Sequence, residues 1–293
     1  MKKRILALAL ALCMLAALCG CKTAAPDVGV TAASKEPPLE TPDTPETTAA
    51  PETTPPAPLP EAEYLEDFTV TTIDGGSFTL SAALEEHELV LINLFATWCP
   101  PCRMEFPYLQ EAWEQEQDRV AVIALSVEAD DTVGELQDYA AELGLSFPIG
   151  RESGVGLERF AANGIPTTVL VDRTGRIAAV EVGALSSTQD FLELFDEYSG
   201  ADYNPNLCTY YIYAYGAADY ADVEGVVINF CTDTTCTPVT TGADGAAVFT
   251  GVPARYHVQV VTVPDGWVLT GDSEWTTEPY SQIVWLPLQE DGQ

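Results

Sequence analysis

Two cysteines, Cys99 and Cys102, are the residues whose type and spacing predict chemistry most directly. They follow an apolar run, 89–96, that is typical of a buried strand, and they precede a stretch, 103–113, that is typical of a helix. A thiol at a helix N-terminus is stabilised as thiolate by unpaired backbone amides and by the helix dipole. A second thiol one turn later can attack a mixed disulfide formed by the first. The spacing therefore predicts thiol–disulfide exchange, with Cys99 as nucleophile and Cys102 as resolving thiol.

The neighbours of the cysteines fit this chemistry. Trp98 is expected to pack beside the pair and shield it, although an ordinary core role explains the residue as well. Pro100 and Pro101 suit a first helical turn, where the missing amide hydrogen has no acceptor within the helix. A structural zinc site needs four ligands, and both histidines, His87 and His257, are isolated in the sequence. We therefore expect no metal, and no cofactor beyond the redox-active cysteine pair.

The pattern of predicted helices and strands divides the rest of the sequence into two regions. Residues 63–200 alternate strand and helix signals, which predicts an α/β fold with a mixed sheet between helical layers. After residue 201 short apolar strands are separated by turns without a helical pattern, which predicts a small all-β sandwich. Residues 202–206 are the expected hinge between the two regions.

Three stretches together resemble a known family. Residues 93–98, the Cys-x-x-Cys segment with 103–107, and residues 164–168 are similar to the TlpA/ResA branch of membrane-tethered, thioredoxin-fold thiol–disulfide oxidoreductases. The resemblance implies a thioredoxin fold for residues 63–200 and reduction of protein disulfides, with electrons from a membrane dithiol donor. Maturation of cytochrome c is one role found in this branch.

The same resemblance assigns further site residues. Pro166 matches a cis-proline that faces the cysteines, and Ile165 would present its backbone to the substrate. Glu105 matches an acidic residue near the cysteines and would accept the proton of Cys102, although a solvated helix glutamate is the alternative. Asn93 stands where many thioredoxins bury an aspartate, a departure shared with this branch.

The N-terminal segment resembles the signal peptide of a bacterial lipoprotein. A basic start, residues 2–4, precedes an apolar run, 5–18, and a lipobox-like segment that ends at Cys21. The resemblance implies a lipid on Cys21 and a location on the extracytoplasmic face of the cell membrane. Proline, threonine and glutamate then dominate a predicted disordered tether. The predicted organisation is a signal segment 1–21, a tether 22–62, a thioredoxin-like domain 63–200 and a β-sandwich 201–293.

The C-terminal region carries three more cysteines. Residues 208–288 are similar to prealbumin-like or Cna-B-like sandwiches of bacterial surface proteins. Cys231 and Cys236 are predicted to close a hairpin disulfide in an oxidising compartment, while pairing of Cys208 with either one remains an alternative. The tyrosines of 210–220 form either a binding face or the exposed side of a half-buried sheet. We expect the region to recruit or orient a client protein.

Net charge excludes one class of partner. The chain has 45 acidic and 12 basic residues and a formal charge of −33, so it lacks the cationic surface that nucleic acid requires. Two other functions stay open. A thiol peroxidase of the peroxiredoxin type shares the fold, but its cysteine follows a proline and threonine spacing that is absent here. A surface binding protein would place the function in the sandwich.

Overall fold

The computed structural model describes residues 61–292. The signal segment, the predicted lipidation of Cys21 and nearly all of the predicted tether lie outside these residues. Within the described part of the chain, no helix is both long and apolar enough to cross a membrane.

Helices and strands alternate first, and strands alone follow. The helices are α1 (Leu80–Glu86), α2 (Pro100–Glu116), α3 (Val133–Leu143) and α4 (Thr188–Ser199), with a 3₁₀ helix at Glu158–Asn163. The strands of the first part are β1 (Thr69–Thr71), β2 (Ser77–Thr79), β3 (Leu89–Phe95), β4 (Val120–Ser126), β5 (Ile149–Arg151), β6 (Thr167–Asp172) and β7 (Ile177–Val182). Those of the second part are β8 (Cys208–Gly216), β9 (Val227–Cys231), β10 (Cys236–Thr240), β11 (Ala246–Gly251), β12 (His257–Thr262), β13 (Trp267–Leu269), β14 (Glu274–Thr276) and β15 (Ser281–Glu290).

A mixed sheet forms the centre of the first part. Its strand order is β7-β6-β3-β4-β5, with β3 parallel to β4 and antiparallel to β6. Every residue of β3 and β4 is buried, as expected for unbroken apolar strands covered on both faces. Phe106 of α2 and Phe191 of α4 pack on one face, while Leu80 of α1 and Phe160 of the 3₁₀ helix pack on the other. The α/β fold predicted from the sequence is confirmed.

The second part is all-β, as predicted. Strands β10-β9-β12-β14 form an antiparallel sheet that faces β11, β8 and β15. Tyr210, Phe230 and Phe249 meet between the two sheets, with the Phe230 and Phe249 ring centroids 4.3 Å apart. The similarity to prealbumin-like and Cna-B-like sandwiches stays a prediction.

Strand pairing joins the two parts. Strand β15 pairs in parallel with β7 at Ser281 and Gln282 and in parallel with β8 along its length, so one sheet continues from β5 to β11. The domain boundary near residue 200 stays a prediction, and backbone hydrogen bonding crosses it.

A buried polar cluster lies at this junction. Tyr203, from the expected hinge, donates its hydroxyl hydrogen to Asp172 at 2.8 Å and accepts from Arg176 at 2.6 Å. Arg176 is also ion-paired with Asp172 at 3.2 Å and lies 3.7 Å from the Cys208 sulfur. Burial raises the pKa of the Cys208 thiol, although the nearby guanidinium opposes the shift. The side chain of Tyr203 thus anchors the connecting segment.

Residues 77–80 are by themselves typical of a strand, but β2 ends at Thr79 and helix α1 begins at Leu80. At the start of this helix, Asp67 accepts hydrogen bonds from the amide and the hydroxyl of Ser81, both at 2.8 Å. The stabilising carboxylate lies fourteen residues earlier in the chain, so local patterns do not reveal it.

Candidate active site

The disulfide between Cys99 and Cys102 lies where β3 ends and α2 begins. Cys99 is the N-cap residue of α2, and its sulfur accepts a hydrogen bond from the Cys102 amide at 3.2 Å. Both cysteines are buried, and Cys99 keeps 2% of its surface exposed. A sulfur that receives a helix-terminal amide is placed where negative charge is stabilised. On reduction, this position favours the thiolate of Cys99.

The residues around the pair occupy the first helical turn and the adjoining surface. Pro100 and Pro101 are the first residues of α2, with Pro100 exposed. Trp98 is exposed rather than packed into the core, and its indole nitrogen donates to Glu128 at 2.8 Å. The ring therefore lies on the surface directly before the reactive cysteine.

The loop before β6 lies against the disulfide. The Ile165–Pro166 peptide bond is cis, and the Ile165 carbonyl oxygen is 3.8 Å from the Cys99 sulfur. Pro166 is buried, while its carbonyl accepts from the Gly183 amide at 2.8 Å. The fold thus brings together Cys99 and a segment 66 residues away, as the family resemblance implies.

Glu105 is buried beneath the site, with no exposed surface. One carboxylate oxygen accepts from the Asn93 side-chain amide at 2.8 Å, and the other accepts from the Leu185 backbone amide at 2.9 Å. Asn93 also donates to the Thr168 hydroxyl at 3.3 Å. This network ties α2 to β3, β6 and the loop before α4. The geometry does not match a solvated helix glutamate.

Sequence reasoning missed a second buried carboxylate near the cysteines. Asp131 accepts from the Thr97 amide at 3.1 Å, from the Thr97 hydroxyl at 2.5 Å and from the Ser126 hydroxyl at 2.5 Å. These bonds hold the backbone directly before Trp98 and Cys99. The sequence did contain a signal for this carboxylate. Acidic residues follow β4, the cysteines follow β3, and the carboxyl ends of these parallel strands meet at one edge of the sheet.

The other predicted disulfide lies in the second sheet. Cys231 and Cys236 are bonded across the register of β9 and β10, and Cys208 is a free, buried thiol. Neither feature belongs to the group around Cys99. Within residues 61–292 no cluster of His, Cys, Asp and Glu side chains is arranged to hold a metal ion.

Known proteins share sequence similarity with the region that contains this site. Residues 62–180 match the AhpC/TSA family model. The chain is 29% identical over 133 residues to the thioredoxin-like protein YneN of Bacillus subtilis, covering 45% of this chain and 76% of that protein. It is also 29% identical over 136 residues to the thiol-disulfide oxidoreductase ResA of Halalkalibacterium halodurans, covering 45% and 75%.

A solved structure also aligns with the chain. The thioredoxin-family thiol:disulfide interchange protein of Chlorobium tepidum is 27% identical, with a TM-score of 0.41, and covers 46% of this chain and 94% of that protein.

The fold, the site and the sequence relatives define the class of the protein. The chain carries a thioredoxin-like domain and is an enzyme of the thiol–disulfide oxidoreductase class. The family resemblance and the enzyme class predicted from the sequence are confirmed.

Proposed function

We propose that this protein reduces disulfide bonds of other proteins on the extracytoplasmic face of the cell membrane, held there by a lipid on Cys21. The observation that carries the proposal is the Cys99–Cys102 pair at the N-terminus of α2, with the Ile165–Pro166 loop against it. The relatives named ResA support the reaction class, and the lipoprotein-like N-terminus supports the location.

The first half of the reaction uses the thiolate of Cys99. This thiolate attacks one sulfur of the client disulfide, so a mixed disulfide forms and the other client sulfur leaves as a thiolate that takes up a proton. The amide of Cys102 stabilises the attacking charge, because it points at the Cys99 sulfur in the observed structure. The backbone next to Pro166 positions the client chain.

The second half uses Cys102. Its thiol loses a proton and attacks the Cys99 sulfur, which restores the intramolecular disulfide and releases the second client thiol. We assign Glu105 as the proton acceptor, since it lies one helical turn after Cys102 on the same face of α2. A membrane dithiol donor then returns two electrons to the pair, and the cycle needs no other cofactor.

Insulin reduction by the full-length chain tests this proposal, with dithiothreitol as the artificial donor. Cys99→Ser should lower the rate to that of dithiothreitol alone, because the attacking sulfur is gone. A matched control replaces both Cys231 and Cys236 by serine and should keep the wild-type rate. Equal rates for the wild type and Cys99→Ser would refute the mechanism. Peroxide consumption that depends on Cys99, without disulfide exchange, would favour the peroxidase.

A further inference from the structure

An exposed group of aromatic side chains lies on the continuous sheet, outside the redox site. We define the aromatic face as Tyr213, Tyr215, Tyr220 and Trp285. Tyr213 and Trp285 are stacked with centroids 5.1 Å apart, and Tyr215 and Tyr220 are parallel within 7° at 5.8 Å. Trp285 is 53% exposed and Tyr220 is 65% exposed, so two large rings present their surfaces to solvent.

The backbone at Tyr220 indicates that this arrangement is specific. Its φ of 58° is the one positive value of a non-glycine residue in the described part of the chain. A bulky side chain rarely adopts this conformation, and such outliers tend to persist where the surrounding structure holds a residue for function. In this conformation the Tyr220 ring is exposed and parallel to that of Tyr215.

The aromatic face shares one side of the sheet with the helix that carries the cysteines. Tyr211, which lies two residues before Tyr213 on β8, donates its hydroxyl hydrogen to Glu197 of α4 at 3.0 Å. Helix α4 packs beside α2 on that side. Tyr213 and Tyr215 point to the same side as Tyr211, because side chains alternate along a strand.

The aromatic face also lies toward the same end of the sheet as the disulfide. Strands β3, β7, β15 and β8 all run in one direction, and Cys99 follows the carboxyl end of β3. Strand β15 is the third strand from β3, which corresponds to roughly 14 Å at a spacing of about 4.8 Å. One extended polypeptide could therefore reach both places.

The charge around this surface is negative. Desolvation by burial, followed by the negative charges of Glu181, Asp244 and Glu197, raises the pKa of Tyr213 to about 12. Arg255 is the one lysine or arginine after residue 200, and it is paired with Glu278 at 2.7 Å. Aromatic ring faces attract cations, and carboxylates beside them add to that attraction.

We propose that the aromatic face binds a cationic, extended segment of the client polypeptide next to the disulfide that Cys99 attacks. The proposal rests on the proposed function and names the chemistry of its client. An extended chain advances about 3.3 Å per residue, so the cationic segment lies about four to six residues from the client cysteine. Because the protein carries a large negative net charge, we expect it to prefer a client that is rich in lysine or arginine.

Paired peptides test the proposal in the full-length chain. Two disulfide peptides are identical except for a flanking segment, five residues from the cysteine, that contains lysine in one and glutamate in the other. The KM of the wild type should be about tenfold lower for the lysine peptide, with similar kcat. Trp285→Thr and Tyr220→Asn should each raise that KM about fivefold and leave turnover of a small neutral disulfide unchanged.

The variants are chosen to keep the fold. Threonine suits a strand, and asparagine tolerates the positive φ of position 220. The matched control is Val261→Thr, which removes an apolar side chain that is 51% exposed from β12 of the second sheet. This control should leave the KM for both peptides at the wild-type value.

Calorimetric titration with a cysteine-free lysine peptide measures binding without turnover. Affinity should fall in Trp285→Thr and should weaken as salt is raised from about 0.05 to about 0.5 M. Equal KM values for the two peptides, with the small disulfide still turned over, would refute this proposal alone. Failure to turn over the small disulfide would refute the proposed function instead. Binding of a neutral oligosaccharide that depends on Trp285, without peptide binding, would replace the client segment by a glycan.

Discussion

Two buried carboxylates organise the residues around the disulfide. Asp131 fixes the backbone of Thr97 directly before the cysteine motif, and Glu105 connects α2 to Asn93 and to the Leu185 amide. A carboxylate removed from water is stable only when hydrogen bonds replace its hydration. Both groups meet this condition, so they lock the geometry of the site before any client arrives.

The proposed proton transfer at Glu105 predicts a selective defect. Glu105→Gln should slow the attack of Cys102 about tenfold to 100-fold, because glutamine cannot accept the proton, while the first attack by Cys99 keeps its rate. Rapid-quench measurement should then show accumulated mixed disulfide. The difference in the rate of the Cys102 attack between Glu105→Gln and the wild type should become smaller as the pH is raised from about 6 to about 9. At higher pH a larger fraction of the Cys102 thiol is ionised without a proton acceptor.

Glu111→Gln on the exposed surface of α2 is the matched control and should behave as the wild type. Equal slowing of both steps, or a defect that does not change with pH, would show that Glu105 is only structural.

Strands β7 and β15 join the two parts of the fold by pairing with each other. Strand β7 pairs with β6 on one side and with β15 on the other, and all but its last residue are buried. Without β15, strand β7 would present unpaired amides and carbonyls, which favour association with other chains. Strand β15 begins nearly 100 residues after the end of β7 in the sequence.

Truncation after Gly200 should therefore destabilise the redox domain. The cut removes β15, and it also removes Tyr203 from the buried pair Asp172 and Arg176. A loss of about 3 kcal/mol or more is expected for these unsatisfied groups, which corresponds to a Tm lower by roughly 6–12 °C. Thermal unfolding and light scattering should show lower stability and self-association. A stable monomer with an unchanged Tm would contradict this role of β15.

The elements also show where sequence reasoning succeeded and where it stopped. Strand β3 was predicted because its apolar run is long and unbroken, and helix α2 was predicted from the stretch that follows the cysteines. Helix α1 depends on Asp67, and the pairing of β15 with β7 depends on residues far apart in the chain, so no local pattern reveals either. The cysteine pair was found from its spacing and from the strand and helix patterns on either side of it, whereas Asp131 needed the parallel pairing of β3 and β4.

At the scale of the whole molecule, the described chain combines a redox centre with a second surface on one continuous sheet. The aromatic face and the disulfide lie toward the same end and on the same side, in a strongly acidic protein. This arrangement separates chemistry from selection. Reactivity depends on the first turn of α2, and client preference is proposed to depend on β8 and β15.

A trapping experiment tests the central claim most directly. In Cys102→Ser the mixed disulfide at Cys99 cannot be resolved, so incubation of the reduced variant with a disulfide-containing protein should yield a stable covalent adduct. Mass spectrometry should place the adduct on Cys99, and the double variant Cys99→Ser with Cys102→Ser should yield none. Absence of an adduct in Cys102→Ser, or an adduct that persists in the double variant, would contradict the assignment of Cys99 as the nucleophile.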